Sequence, residues 1–340
     1  MGEAACVVDV HDGWLFGRSV EFAKRHGLRP IIADFSTPAK APRIRLTTPP
    51  AGLDRRQWSD ELWDIVRHLL WSDMPAEYFG PVGERGIRAL IKMAVLDPDD
   101  ATDLADLAPL ITDSQWAPRR RALLDRIDDH ELTGVIEHEV IPMVSSRDPG
   151  NSATYLLSKL TPLVDTWAVR PAPKAARPRG AADTLAVEQA VRSGRPLLVY
   201  APTTALGDSG SRLVVSIALH RLWLAARRRR TPTPLHVLVD EWQLYPSTTI
   251  AAMLSQGRKF GLRLRLANQN LAQLSSALRD SVLGNSGSVV CFRVGPADAA
   301  LLDGVFPTIA RYRLQTLPPH TFAVTFGDRD LVTASHPPLG

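Results

Sequence analysis

The run Leu235-His236-Val237-Leu238-Val239, closed by Asp240-Glu241, constrains this chain more than any other segment. A continuous run of Leu and β-branched side chains predicts a parallel strand covered on both faces, because a half-solvated strand would alternate with polar residues. In open α/β sheets ligands sit outside the carboxyl ends of the strands, so the two acids fall where a ligand would be. Acids there either meet a cation, stay solvated, or cap the helix that follows.

The surrounding pattern agrees with such a sheet. Residues 4–10 read as a strand, His11, Asp12 and Gly13 as a turn, the next stretch to about residue 26 as a helix, and residues 30–33 as a second strand. Strands are expected again at 196–200, 235–239 and 262–267, with a helix over about 209–229 and another ending near residue 260. Two more are expected at 288–293 and 321–326. Strands separated by helices of this length predict a mainly parallel sheet with helices on both faces. Between the two halves, residues 38–50 are Pro-rich. Residues 54–169 then carry helical periodicity, with Trp58, Leu62, Ile65, Val66 and Leu69 on one stripe. Residues 171–180, all Pro, Ala, Lys, Arg and Gly, read as a linker. The expected organisation is an α/β core from 1–50 and 181–340, an all-α insertion over 54–170, and the linker 171–180.

The chain has 340 residues, 45% of them hydrophobic and 22% charged, which fits a globular protein and excludes a disordered or fibrous one. Cys6 and Cys291 are too few for a disulfide framework, so a reducing, cytoplasmic compartment is expected. No apolar run reaches the roughly 18–20 residues that cross a bilayer. The net charge of +4 includes basic clusters at 119–121, 174–179 and 227–230, which can either meet phosphates or remain as solvated helix ends.

The chemistry suggested by the acidic strand end is metal-assisted hydrolysis of a nucleotide. Asp240 would hold Mg2+ through its water shell, and Glu241 would polarise the attacking water. The next strand ends in Ala267-Asn268-Gln269, an amide able to sense a terminal phosphate, and Val289-Val290-Cys291-Phe292 leads to the cation Arg293.

With these residues in view, the chain resembles the HerA/FtsK superfamily, and within it the conjugative (type IV secretion) coupling ATPases of the TraG/TraD class and the HerA-like helicases. The resemblance rests on Val237 to Gln243, on Gly257-Arg258-Lys259-Phe260-Gly261-Leu262, and on Leu266-Ala267-Asn268-Gln269. Gly284-Asn285-Ser286-Gly287, Phe292-Arg293-Val294-Gly295 with Asp298, and residues 314–326 extend it, as does Val7 to Gly13 near the start. It implies a RecA-like core of the P-loop NTPase type, ATP and Mg2+ as cofactors, and ATP-driven translocation of DNA. By the same resemblance Gln269 is a sensor, and Arg258, with Arg293 as the alternative, is an arginine finger that reaches a neighbouring subunit's nucleotide. The implied partners are DNA, further copies in a ring that is a hexamer in the family, and secretion or relaxosome proteins. The implied place is the inner face of the cell membrane, reached through partners or an N-terminal segment.

One part of the pattern is missing. The phosphate-binding motif G-x-x-x-x-G-K-[ST] occurs nowhere in the 340 residues. In the resembled family that loop and its helix would come directly before the strand at residue 4. Three readings stay open: a start downstream of the loop, a loop supplied by another chain, and a protein that has lost nucleotide binding and acts as a DNA-binding or assembly partner. Two other motifs carry less. Gly207-Asp208-Ser209-Gly210 echoes a protease nucleophile loop but sits between a strand and a helix, where Ser209 serves better as a helix cap. Glu137, His138 and Glu139 are adjacent on a helix and point in different directions, which is poor geometry for a metal.

Overall fold

The computed structural model describes residues 4–42, 44–71, 81–145, 161, 166–169, 185–230, 233–245, 248–326 and 329–334. The expected linker 171–180 lies outside them. Five strands form a wholly parallel sheet: β1 (Ala4–Asp9), β2 (Ile31–Asp34), β3 (Leu197–Tyr200), β4 (Leu235–Val239) and β5 (Leu262–Leu266). Their spatial order is β2-β3-β1-β4-β5. The strands follow the apolar runs of the sequence, and a parallel sheet requires the long crossovers the chain supplies between them.

The two faces of this sheet differ, and the difference follows from connection handedness. Crossovers between parallel strands are right-handed. The steps β2 to β3, β3 to β4 and β4 to β5 all advance toward the β5 edge, so their helices share one face. Only β1 to β2 runs the other way, which puts its helix, Trp14–Arg25, on the opposite face. The crowded face buries Ala4, Cys6, Val8, Leu235, Val237 and Val239. On the other, His236 and Leu238 are only half-buried and Arg263 and Arg265 are exposed. The expectation that β4 is fully covered on both faces is therefore corrected: among the described residues one helix serves the second face, and it does not cover the β4–β5 side.

The helix Thr203–Arg227 is the central element of the crowded face and is apolar nearly all round. A helix of that kind belongs between two layers, and here the layers are the sheet and the helical insertion. Its start lies before the expected residue 209, but Gly207, at φ 68° and ψ 168°, interrupts it, so the unbroken portion begins close to Ser209. Two of its polar residues are buried and paired, as buried charges must be. Arg221 makes a two-pronged contact with Glu188 at 2.9 and 2.6 Å. His220 bridges Thr249 at 2.9 Å and Glu61 of the insertion at 2.6 Å.

The described part of the insertion is all helical: Arg55–Trp71, Pro81–Val95, Leu107–Thr112, Ala117–Ile127, His130–Val135 and Ile141–Ser145. The expected stripe is real, with Trp58, Leu62, Ile65 and Val66 buried. These side chains join the same apolar cluster as the sheet. The turn over 97–103 is organised by buried Asp97, which accepts from the amides of Asp99 and Ala101 and from the Thr102 hydroxyl. Glu137, His138 and Glu139 lie in a π turn, Ile136–Val140, and no metal-holding cluster exists among the described residues.

The last part of the chain departs from the expected single sheet. β6 (Val290–Cys291), β7 (Thr321–Phe326) and β8 (Arg329–Ala334) form a second, antiparallel sheet in the order β6-β7-β8. Two residues between β7 and β8 leave room only for a hairpin, and a hairpin is antiparallel.

Candidate nucleotide-hydrolysis site

Strand register builds the site. Asp34, Tyr200 and Asp9 are aligned partners at the carboxyl ends of β2, β3 and β1. Val8 aligns with Val239, so Asp240 stands next to Asp9 in the same row, and Val239 aligns with Leu266, which brings Asn268 and Gln269 to the same end. The sequence reading picked out Asp240, Glu241 and Gln269 and missed Asp9, Tyr200 and Asp34. The missed residues carry the same signal, a polar group closing an apolar run.

Asp9 is 1% exposed, and each of its carboxylate oxygens accepts one backbone amide. Its carboxylate accepts from the amide of His11 at 3.0 Å and from the amide of Phe16, in the first turn of the following helix, at 2.8 Å. Phe16 in turn stacks on Tyr200 at 5.1 Å. Gly13 makes the turn possible: at φ 79° a Cβ would be strained and would stand 3.0 Å from the Tyr200 ring. Burial and the nearby Asp9, Asp34 and Asp12 raise the Tyr200 phenol.

Asp240 lies half-buried between acids. Burial, then the neighbouring Glu241 and Asp9, push its carboxyl above the usual range, although its Oδ1 accepts from the Glu241 amide at 3.0 Å. A carboxylate penalised in this way gains most from a nearby cation. Glu241 sits in the left-handed region at φ 48°, a conformation that costs a non-glycine residue on the order of 1–3 kcal/mol and clusters at functional sites. The bend tucks Trp242 into the core, where it is 1% exposed and its amide donates to the Ala267 carbonyl at 3.1 Å. The Glu241 side chain is held by two amides: Gln269 Nε2 donates to Oε1 at 2.5 Å, and Gln243 Nε2 donates to Oε2. Each oxygen keeps a lone pair, so the clamp fixes the carboxylate while leaving it able to accept from water.

The two arginines lie apart. Arg258 is in the turn Gly257–Phe260 that precedes β5, whereas Gln269 follows β5. At about 3.3 Å per residue that five-residue strand is roughly 15 Å long, so Arg258 and Glu241 lie toward opposite ends of it. Arg293 follows β6 on the Gln269 side: five residues on, Asp298 accepts from the amides of Leu271 and Ala272 at 3.0 and 3.1 Å. Both arginines are exposed and border one large cleft.

The donor set suits Mg2+, which uses one or two carboxylates together with phosphate oxygens and water rather than an all-protein cage. Asp240 would hold the ion, with Glu241 beside it. The sequence holds no G-x-x-x-x-G-K-[ST] loop to cradle the phosphates themselves.

The architecture matches solved structures over nearly its whole length. The plasmid coupling protein TrwB in complex with ADP and Mg2+ superposes with a TM-score of 0.63, at 15% identity, covering 98% of this chain and 85% of that one. An unbound form of the same coupling protein gives 0.62 at 14% identity. VirB4 of Thermoanaerobacter pseudethanolicus gives 0.55 at 12% identity, covering 99% of this chain and 83% of that one. No family model matches the chain, and no curated protein does. At these identities the likeness shows a shared fold alone: a RecA-like, mainly parallel α/β sheet with a helical insertion.

Proposed function

We propose that this chain is a motor subunit of the HerA/FtsK type, of the conjugative coupling class, in which Asp240, Glu241 and Gln269 form the metal-and-water half of an ATP site that drives DNA movement. The observation that carries the reading is the clamped Glu241: a strained carboxylate beside a metal-compatible Asp240, held by Gln269 at 2.5 Å, at the carboxyl edge of a parallel sheet. The shared fold with a coupling protein solved with ADP and Mg2+ supports it.

In this reading Glu241 accepts a proton from the attacking water, and Gln269 holds the carboxylate in position while sensing the terminal phosphate. Bound Mg2+ neutralises phosphate charge and is held through Asp240. Arg258, a strand length of roughly 15 Å from the Gln269 end, acts on a neighbouring subunit's site in a ring, with Arg293 as the alternative cation nearer its own. DNA is the polymer moved, and other secretion components are the assembly partners, at the inner face of the membrane.

A second reading is favoured by one fact, the absence of G-x-x-x-x-G-K-[ST] from the sequence. In it the fold persists as a DNA-binding or assembly partner without turnover. DNA-stimulated ATP hydrolysis separates the two, measured on the 340-residue chain and on a polypeptide extended by its upstream genomic sequence. The motor reading expects turnover from at least the extended form, abolished by Glu241→Gln. DNA binding without turnover in both forms would establish the second reading.

A further inference from the structure

His220 sits where three helices meet around a cavity. The helix Thr203–Arg227 supplies His220, the insertion's helix Arg55–Trp71 supplies Glu61, and the helix Thr248–Gln256 supplies Thr249. Helical spacing turns further residues to the same point: Ser216 stands four before His220, Trp223 three after and Arg227 seven after, while Ile65 stands four after Glu61. Together with Thr249 these side chains wall a cavity of about 280 Å³. Arg227 is exposed, so the cavity opens to solvent on that side.

The proton positions follow from what each partner can do. A carboxylate only accepts, so His220 Nε2 carries the hydrogen and donates to Glu61 Oε2 at 2.6 Å. In the neutral ring Nδ1 is then a lone pair, and the Thr249 hydroxyl donates to it at 2.9 Å. Glu61 stays ionised: its hydrogen bond with His220, opposed by burial, and the charges of Arg227 and Arg228 hold its carboxyl below the usual range. His220 is 6% exposed, which shields the ring from water, while Thr249 stands at the cavity wall. A hydroxyl bonded to a base, with the base oriented by a carboxylate and both contacts within hydrogen-bond reach, is the connectivity that makes a hydroxyl nucleophilic.

Packing alone does not call for this arrangement. A buried polar bridge adds little stability over apolar side chains of the same volume, and a void between packed helices forfeits the contacts that would fill it. The walls have two characters. Ile65 and Trp223 are buried and apolar, a seat for a short hydrocarbon chain. The Ser216 hydroxyl and the Arg227 guanidinium, which lies 5.5 Å from the centroid of the Trp223 ring, are donors for a developing oxyanion. The volume falls just below the roughly 300–1,000 Å³ of drug-sized pockets, which sets the scale at a small acyl group.

We propose that Glu61, His220 and Thr249 form a nucleophilic site that takes the acyl group of small, activated carboxylic esters. Thr249 Oγ1 attacks the acyl carbon as its proton passes to His220 Nδ1. The bond to the ester's alkoxide oxygen breaks, and that oxygen takes the proton and leaves as the alcohol, with Thr249 left as an acyl ester. Water then attacks the same carbon and gives a proton to His220, which returns it to Thr249 Oγ1 as the carboxylic acid departs. Glu61 holds the ring and balances the imidazolium in both steps, so it is a positioning residue. The site shares no residue with the Asp240–Glu241–Gln269 row and does not rest on the nucleotide reading.

The test mixes the 340-residue protein with p-nitrophenyl acetate and follows p-nitrophenolate release, with tandem mass spectrometry of acid-quenched samples. The expected result is release well above the spontaneous rate, beginning with a burst that approaches one equivalent per chain, and an acetyl group on Thr249. Thr249→Val, which keeps the shape and removes the hydroxyl, should abolish the burst, and Thr249→Ser should retain it. His220→Gln should slow acylation about a hundredfold or more, the usual share of a general base. Glu61→Gln should lower the rate at saturating ester and leave the half-saturating concentration unchanged, a split that the loss of a structural tie would not produce. Near-UV circular dichroism accompanies each variant, and if His220→Gln does not fold, the Thr249 pair decides alone. Release no faster than the spontaneous rate, release equal in the parent and Thr249→Val, or acetyl groups confined to lysines and the N-terminus would overturn the proposal.

Discussion

The two flanks of β4 are built to different standards. Toward β1, the register places Asp240 beside an Asp9 that is buried and satisfied by two amides, and the Phe16–Tyr200 stack closes over the turn. Toward β5, Glu241 is half-buried and Gln269 exposed, their contact spans two strand tips, and the sheet ends at an open cleft. One flank is fixed by backbone donors in the core, and the other by side-chain donors at the border of a cleft. What separates the two carboxylates is burial and the kind of donor: Asp9 is buried and held by backbone amides, whereas Glu241 is half-buried and held by side-chain amides, each oxygen accepting one bond in both.

Substitution should expose this contrast. Asp9→Ala strands two amides in a buried place and is expected to cost about 2–3 kcal/mol, visible as a lowered denaturant midpoint with unchanged slope. A loss under about 0.5 kcal/mol, the size of a typical surface substitution, would mean that the β1 flank is no better ordered than the other. Glu241→Gly removes left-handed strain and is expected to gain about 0.5–1 kcal/mol, while abolishing any turnover; a destabilised variant would show that the amide clamp outweighs the strain. Gln269→Ala, at an exposed tip, should change stability by less than about 0.5 kcal/mol and lower turnover by an order of magnitude or more, in line with loss of a positioning donor.

The smallest effect concerns pH. Asp240 has its folded pKa raised by burial and by Glu241 and Asp9. The folded state therefore holds its proton more tightly than the unfolded chain, and stability falls as pH rises from the unfolded value of about 3.9 through the folded one. Asp240→Asn, which keeps an oxygen for the Glu241 amide, should be slightly more stable than the parent at neutral pH, and the gain should vanish in acid below that range. Mg2+ with nucleotide should stabilise the parent and not the variant. A pH-independent difference would place the carboxylate outside the acidic row.

Much of this was legible in the sequence because it is local. An apolar run announces a strand, and its closing polar residue announces the ligand edge, which is why Asp240, Glu241 and Gln269 could be named in advance. Asp9 ends a similar run, but its burial depends on a partner seven residues away, Phe16, and on the neighbouring strand. The second sheet was not legible. β6 is only two residues long, and its partners come from a hairpin whose β8 was not foreseen. The uneven covering of the main sheet depends on strand order and crossover handedness, which periodicity does not encode. The distance between Arg258 and Gln269 followed from their order around β5, yet it acquired meaning only when that strand proved to be an edge.

Where a metal nucleotide sits is the most direct test of the Asp240–Glu241–Gln269 site. Mn2+–ADP can be titrated to millimolar concentration, where even weak binding is populated, while paramagnetic broadening of the side-chain amides and backbone resonances is recorded. The Gln269 and Gln243 side-chain amides and the Glu241 backbone amide should broaden first, and Asp240→Asn should remove the effect. Broadening centred elsewhere, or none at these three positions in the parent protein, would contradict that placement.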